Sequence, residues 1–125
     1  MVILQGTTGE WPSLTMAERL GMAKAWREAV PAGSRMKLIM HVGHDNMQDA
    51  KSLALAAVDL AMDSVLVSAP SKYIAPDLSS QADAVADTLQ YCGDLPAFYC
   101  AVHCAALPGL ESTLWFRGYA LRMYS

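Results

Sequence analysis

A chain of 125 residues, 54% hydrophobic and 17% charged, buries one core of ordinary size and lies far from the polar, highly charged profile of disorder. Its net charge of -3, with nine Lys and Arg scattered along the chain, gives no basic footprint for nucleic acid or for an anionic membrane surface. Asp59 and Asp63 interrupt the apolar stretch 52–70, Met1-Val2-Ile3-Leu4-Gln5 has no basic lead, and three cysteines make no disulfide framework, so the expectation is a cytosolic protein with no membrane span.

The chain opens on a short apolar run, Val2 to Leu4, which reads as a strand. A helix follows from Thr15-Met16-Ala17-Glu18, an S/T-x-x-E capping box, and Pro31-Ala32-Gly33 stops it near Val30. The second strand is expected at 37–42. A second helix begins near Asn46 and sets Met47, Ala50, Leu53, Ala54, Ala57, Val58 and Met62 at helical spacing. The third strand is Ser64 to Val67. A third helix runs from about Asp77 to Tyr91, with Leu78, Ala82, Val85 and Leu89 on one side and Gly93 as its C′ residue. The fourth strand is expected at 97–102. Met22 and Trp26 are assigned to core packing.

Each strand run is short and uniformly apolar, as in parallel strands buried on both faces. The order β-α-β-α-β-α-β calls for right-handed crossovers and a parallel sheet, either open and doubly wound or part of a barrel. In both architectures ligands bind beyond the carboxyl ends of the strands. Gly6-Thr7-Thr8-Gly9 leaves the first strand with two hydroxyls and closely spaced N–H groups, a cradle for a carboxylate or phosphate, or else an ordinary Gly-rich turn. Neither Gly-rich nucleotide fingerprint is present. His41 inside a strand and His44 beyond it are spaced so that one of them reaches the mouth of the site. Cys100-x-x-His103-Cys104 lacks the second half of a zinc pattern, so no metal is expected.

At Gly6-Thr7-Thr8-Gly9-Glu10-Trp11-Pro12-Ser13-Leu14-Thr15, followed by Glu18-Arg19, the sequence resembles the signature of the N-acetylneuraminate lyase and dihydrodipicolinate synthase family. His41-Val42-Gly43-His44, Val65-Leu66-Val67-Ser68-Ala69-Pro70 and Leu95-Pro96-Ala97-Phe98-Tyr99 are similar to its later strands. The Leu-Pro-x-Phe-Tyr wording and Gly-Thr-Thr lean toward the lyase branch. The resemblance implies an α/β fold, a partial TIM (β/α)8 barrel of about four βα units with parallel strands. It also implies class I aldolase chemistry. In full-length relatives a lysine amine condenses with the ketone of pyruvate, and the Schiff base serves as electron sink while N-acetylneuraminate splits into N-acetylmannosamine and pyruvate.

On the same resemblance, Gly6, Thr7 and Thr8 match the family's carboxylate-binding turn. Tyr99 is the best match to the tyrosine that relays the proton, although an alignment carried from the left reaches Cys100 instead. The implied ligand is a small 2-keto acid or a sialic acid, with no cofactor, and the implied assembly is a homo-oligomer. The chain departs from the family pattern in beginning inside the second strand and in lacking the Gly-x-Lys block of the sixth. Its lysines are Lys24, Lys37, Lys51 and Lys72, and only Lys72 lies near the expected site, on a loop. Residues 1–104 are therefore expected to form the partial barrel and 105–125 a divergent tail, the chain being inactive as an aldolase. Two open sheet edges and an uncovered inner face are expected to drive self-association. The rival reading is a non-catalytic open-sheet α/β domain that binds a small carboxylate or a protein.

Overall fold

The computed structural model describes residues 1–70 and 77–100 and the strand Arg122–Tyr124. Strands β1 (Val2–Leu4), β2 (Leu38–His41), β3 (Ser64–Val67), β4 (Ala97–Cys100) and β5 (Arg122–Tyr124) form one sheet in that order. Every neighbouring pair is parallel. Helices α1 (Met16–Ala29), α2 (Met47–Asp59) and α3 (Leu78–Leu89) make the first three crossovers, as the alternating pattern requires. The 37–42 run pairs beyond β2 at both ends: Val2 N–H donates to the Lys37 carbonyl and Val42 N–H to that of Leu66. For the expected strand at 97–102, residues 101 and 102 lie outside the described residues. Strand β5, three residues within the expected divergent tail, carries no pattern that reasoning from periodicity detects.

Each helix starts where a side chain caps it. Thr15 accepts from Glu18 N–H while the Glu18 carboxylate accepts from Thr15 N–H, completing the capping box of α1. Asn46 caps α2 by accepting from Gln48 N–H, and Asp77 caps α3 by accepting from Ser80 N–H. The end of α3 differs from expectation. It stops at Leu89 with Gln90 as cap, and Gly93, at φ 55°, serves the turn beyond. That turn needs the left-handed conformation that glycine adopts without steric cost.

Alternation along the strands divides the sheet into two faces. Leu4, Leu38, Met40, Val42, Val65, Val67 and Tyr99 join Leu53, Ala54 and Ala57 of α2 and Ala82, Val85 and Leu89 of α3 in the core. Fully burying a Val or Leu side chain contributes about 1.5–3 kcal/mol, so this helix-facing layer holds the fold. Helix α1 adds less, with only Arg19 and Ala23 buried. Trp26 packs on the core as expected, but Met22 is 39% exposed because it follows the outward side of a helix that touches the sheet along a narrow stripe. Val58 is likewise exposed. The opposite face is not bare: Ile39, His41, Ser64 and Leu66 are all buried there, contrary to the expected uncovered inner face.

At the amino ends of the strands Asp63 gathers the structure. Its carboxylate accepts from Leu38 N–H and from Lys37 Nζ, both at 3.0 Å, and lies 3.8 Å from Arg27 Nη1. Burial works to raise its pKa, but these donors together outweigh it and hold the carboxyl below its usual value. Among the described residues no helix is long and apolar enough to cross a membrane.

Candidate functional site

Opposite the Asp63 cluster, beyond the carboxyl ends of the strands, lies a cleft of about 190 Å³. It is assembled from the segments that leave β1, β2 and β3 and from the end of β4. Strand β1 stops at Leu4 because Gln5 turns into the left-handed region at φ 57°. Gly6 then leads into a single 3-10 turn, Thr7–Gly9. That turn uses the N–H groups of Gly9 and Glu10 on the carbonyls of Gly6 and Thr7, leaving the N–H groups of Thr7 and Thr8 outside its own bonds, as at any helix start. Gly6 and Thr7 line the cleft; Thr8 is exposed beside it and does not line it.

Trp11 forms one wall. Its ring centroid stands 5.5 Å from that of His41 and 5.4 Å from that of His44, and the Arg19 guanidinium lies 5.3 Å from the Trp11 centroid. Both histidines line the cleft, where the spacing had placed only one. Strand alternation ends at His41, and the bend through 42–44 brings His44 back to the same mouth. His44 is held there by accepting Asn46 N–H on Nδ1, with Asp49 3.9 Å away.

Beneath Trp11, Arg19 is completely buried. Its Nε donates to Gln5 Oε1 at 2.9 Å, Nη1 to the Gly43 carbonyl at 3.3 Å and Nη2 to the His41 carbonyl at 2.6 Å, while Gln5 Nε2 returns a bond to the Arg19 carbonyl. Burial lowers its pKa to about 10, against the opposing influence of Asp49, so the cation persists at neutral pH. His41 is the reverse case. Burial first, then Arg19 and His44, push its pKa down to about 3, which keeps the ring neutral. Its Nε2 lies 3.1 Å from Ser68 Oγ, at the mouth beyond β3. Arg19 and Ser68 stand within the motif blocks of the sequence, but neither was given a role there, since the role of Arg19 on its helix follows only from its burial and that of Ser68 from its contact with His41.

The expected proton-relay tyrosine is placed elsewhere. Tyr99 pairs with Val67 and shares its face, wholly buried in the helix-side core, and does not line the cleft. Cys100, the other alignment, does line it, because adjacent strand residues point to opposite faces. Of the three cysteines, Cys92 is buried, which raises its pKa to about 11, whereas Cys100 is half-buried at the cleft; Cys104 lies outside the described residues. Lys37 and Lys51 are engaged with Asp63 and Asp87 and Lys24 is exposed on α1, so no lysine among the described residues lines the cleft. Lys72 lies outside the described residues. Among them no group of three or more His, Cys, Asp or Glu is placed to hold a metal ion.

The family model for the dihydrodipicolinate synthetase family matches residues 1–98, and the chain belongs to that family. N-acetylneuraminate lyase of Danio rerio is 33% identical over 98 residues, covering 78% of this chain and 32% of that protein. 4-hydroxy-tetrahydrodipicolinate synthase 1 of Streptomyces coelicolor is 44% identical over 69 residues, covering 55% and 22%. Among solved structures, a catalytic lysine mutant of Ruminococcus gnavus sialic acid aldolase superposes with a TM-score of 0.84 at 16% identity, covering 99% of this chain and 42% of that one. YagE of E. coli K12, solved in complex with pyruvate, superposes at 0.79 with 20% identity, covering 92% and 39%. The fold is therefore a partial (β/α)8 barrel, and the chain spans about a third or less of the length of these two curated relatives.

Proposed function

We propose that this member of the dihydrodipicolinate synthetase family carries the keto-acid half of an N-acetylneuraminate lyase-like aldolase site, and that its cleft takes pyruvate or a related 2-keto acid without forming a Schiff base. The observation that carries the reading is the cleft itself: the Gly6-Thr7 turn meets a neutral histidine and a hydroxyl over a buried cation, beyond the carboxyl ends of parallel strands. In that setting the N–H and hydroxyl of Thr7, at the lip of the cleft, would hold the carboxylate. The cleft is small, suited to a three-carbon acid.

The lyase branch is supported by the match to the Danio rerio enzyme over 78% of the chain. The 44% identity to the Streptomyces coelicolor synthase favours a second reading in which the same keto-acid cleft serves that branch. Both branches share the Schiff-base step, which needs an amine at the cleft. Among the described residues, those that line this cleft supply none. A Tyr99 relay is not part of the reading, since its side chain lies on the other face of the sheet.

Incubation with pyruvate and borohydride, followed by mass spectrometry, tests the proposal. The expected result is reversible binding with no lysine adduct. An adduct on Lys72 would make the chain a working Schiff-base protein, and the absence of any binding would favour a non-catalytic domain with another ligand.

A further inference from the structure

Arg19, buried beneath Trp11, and His41, which lines the cleft, do more than pack against each other. A guanidinium can only donate hydrogen bonds, and Arg19 Nη2 lies 3.4 Å from His41 Nδ1 as well as 2.6 Å from the His41 carbonyl. The ring nitrogen facing it must therefore offer its lone pair, which puts the proton of the neutral ring on Nε2. That proton points along the 3.1 Å contact to Ser68 Oγ. A serine hydroxyl that accepts from His41 keeps its own proton to give.

We propose that Ser68 is a ligand-binding donor of this cleft, its hydroxyl aimed at a carboxylate or carbonyl oxygen of the bound acid by the buried pair Arg19 and His41, which act as positioning residues. The chain of bonds depends on a gap. A Cβ on Gly43 would stand 2.3 Å from Ser68 Oγ and 2.9 Å from His41 Nε2, so a side chain there would push the two apart. Because burial and the adjacent cation keep His41 neutral, the tautomer that orients Ser68 holds across the physiological pH range. Arg19 places a buried positive charge beneath, its hydrogen-bond acceptors all being neutral groups with only the Asp49 carboxylate acting on it from beyond them, and this favours an anionic ligand. The identity of that ligand as a 2-keto acid rests on the function proposed above.

The test pairs a binding measurement with a spectroscopic one. Pyruvate titrated into the wild-type chain and into Ser68→Ala is expected to show affinity lower by about tenfold or more in the variant, the usual weight of a hydrogen bond to a charged group. Ser68→Cys, close in shape but a weak donor, gives the same comparison should Ser68→Ala not fold. Long-range 1H–15N spectra of the ring are expected to show His41 protonated at Nε2 and bare at Nδ1. Equal pyruvate affinity in wild type and Ser68→Ala would overturn the proposal and leave the keto-acid reading standing. A proton on Nδ1 would overturn the positioning role of Arg19 and His41 whatever the ligand. No pyruvate binding by the wild type would overturn both readings together.

Discussion

Gly43 has no room for a side chain, and the reason is chemical rather than conformational. Its position lets His41 Nε2 and Ser68 Oγ meet across the space a methyl group would fill. Gly43→Ala is expected to destabilise the fold by about 1–3 kcal/mol, the usual cost of overpacking, as read from urea unfolding. No loss would mean that the loop shifts freely and that the contact is not fixed. His41 makes a second residue-scale prediction. Its pKa falls from 6.5 to about 3 on folding, so the unfolded chain binds the extra proton first. The stabilisation is complete above pH 6.5 and is lost as pH drops toward 3, at about 1.4 kcal/mol per unit. Unfolding free energies measured at pH 7.5, 6 and 5 should show this loss, and replacing His41 with Asn should flatten the profile. At this scale the sequence showed Gly6 and Thr7 through their motif. The choice between Tyr99 and Cys100 was not legible, because it depends on which strand face turns to the helices, and that phase is set by pairing with β3.

The elements were legible where local chemistry and tertiary packing agree. The capping box at Thr15 and Glu18, and the apolar spacing of Ala50, Leu53, Ala54 and Ala57, each specify a helix by themselves, and both helices form there. Met22 and Val58 were misplaced since helical periodicity gives a face only to within one residue's rotation. The contributions of the two helices differ in kind. Thr15→Ala removes one exposed cap and should cost about 1 kcal/mol, whereas Leu53→Ala opens the core beneath the sheet and should cost about 2–5 kcal/mol. Thermal or urea unfolding of the two variants should preserve that order. A cap variant as damaging as the core variant would show that α1 holds the sheet more firmly than its few buried residues imply. Strand β5 escaped notice because three residues carry no readable period; only its pairing with β4 reveals it.

At the largest scale the described residues form part of a barrel. Among the described residues strands β1 and β5 end the sheet order, each with a neighbour on one side only, and edges of that kind recruit further strands. We propose that the 125-residue chain self-associates, which sedimentation velocity across a range of concentrations would register as species heavier than 13.5 kDa. A monomer at every concentration would contradict this. The fold class was legible in the alternation of strands and helices and, more sharply, in the Gly6-Thr7-Thr8 motif. The cleft was only half legible, because Arg19 and Ser68 stand in recognisable motif blocks while their roles follow from burial and long-range contact.

The mouth beyond β1 and β3 is proposed above as a keto-acid site. Its most direct test is titration of the 15N-labelled chain with pyruvate, followed residue by residue in 1H–15N correlation spectra. Saturable shifts of the Gly6, Thr7, Thr8 and Ser68 amides are expected, with the resonances near Asp63 unmoved. Shifts confined to other regions, or none at millimolar pyruvate, would contradict it.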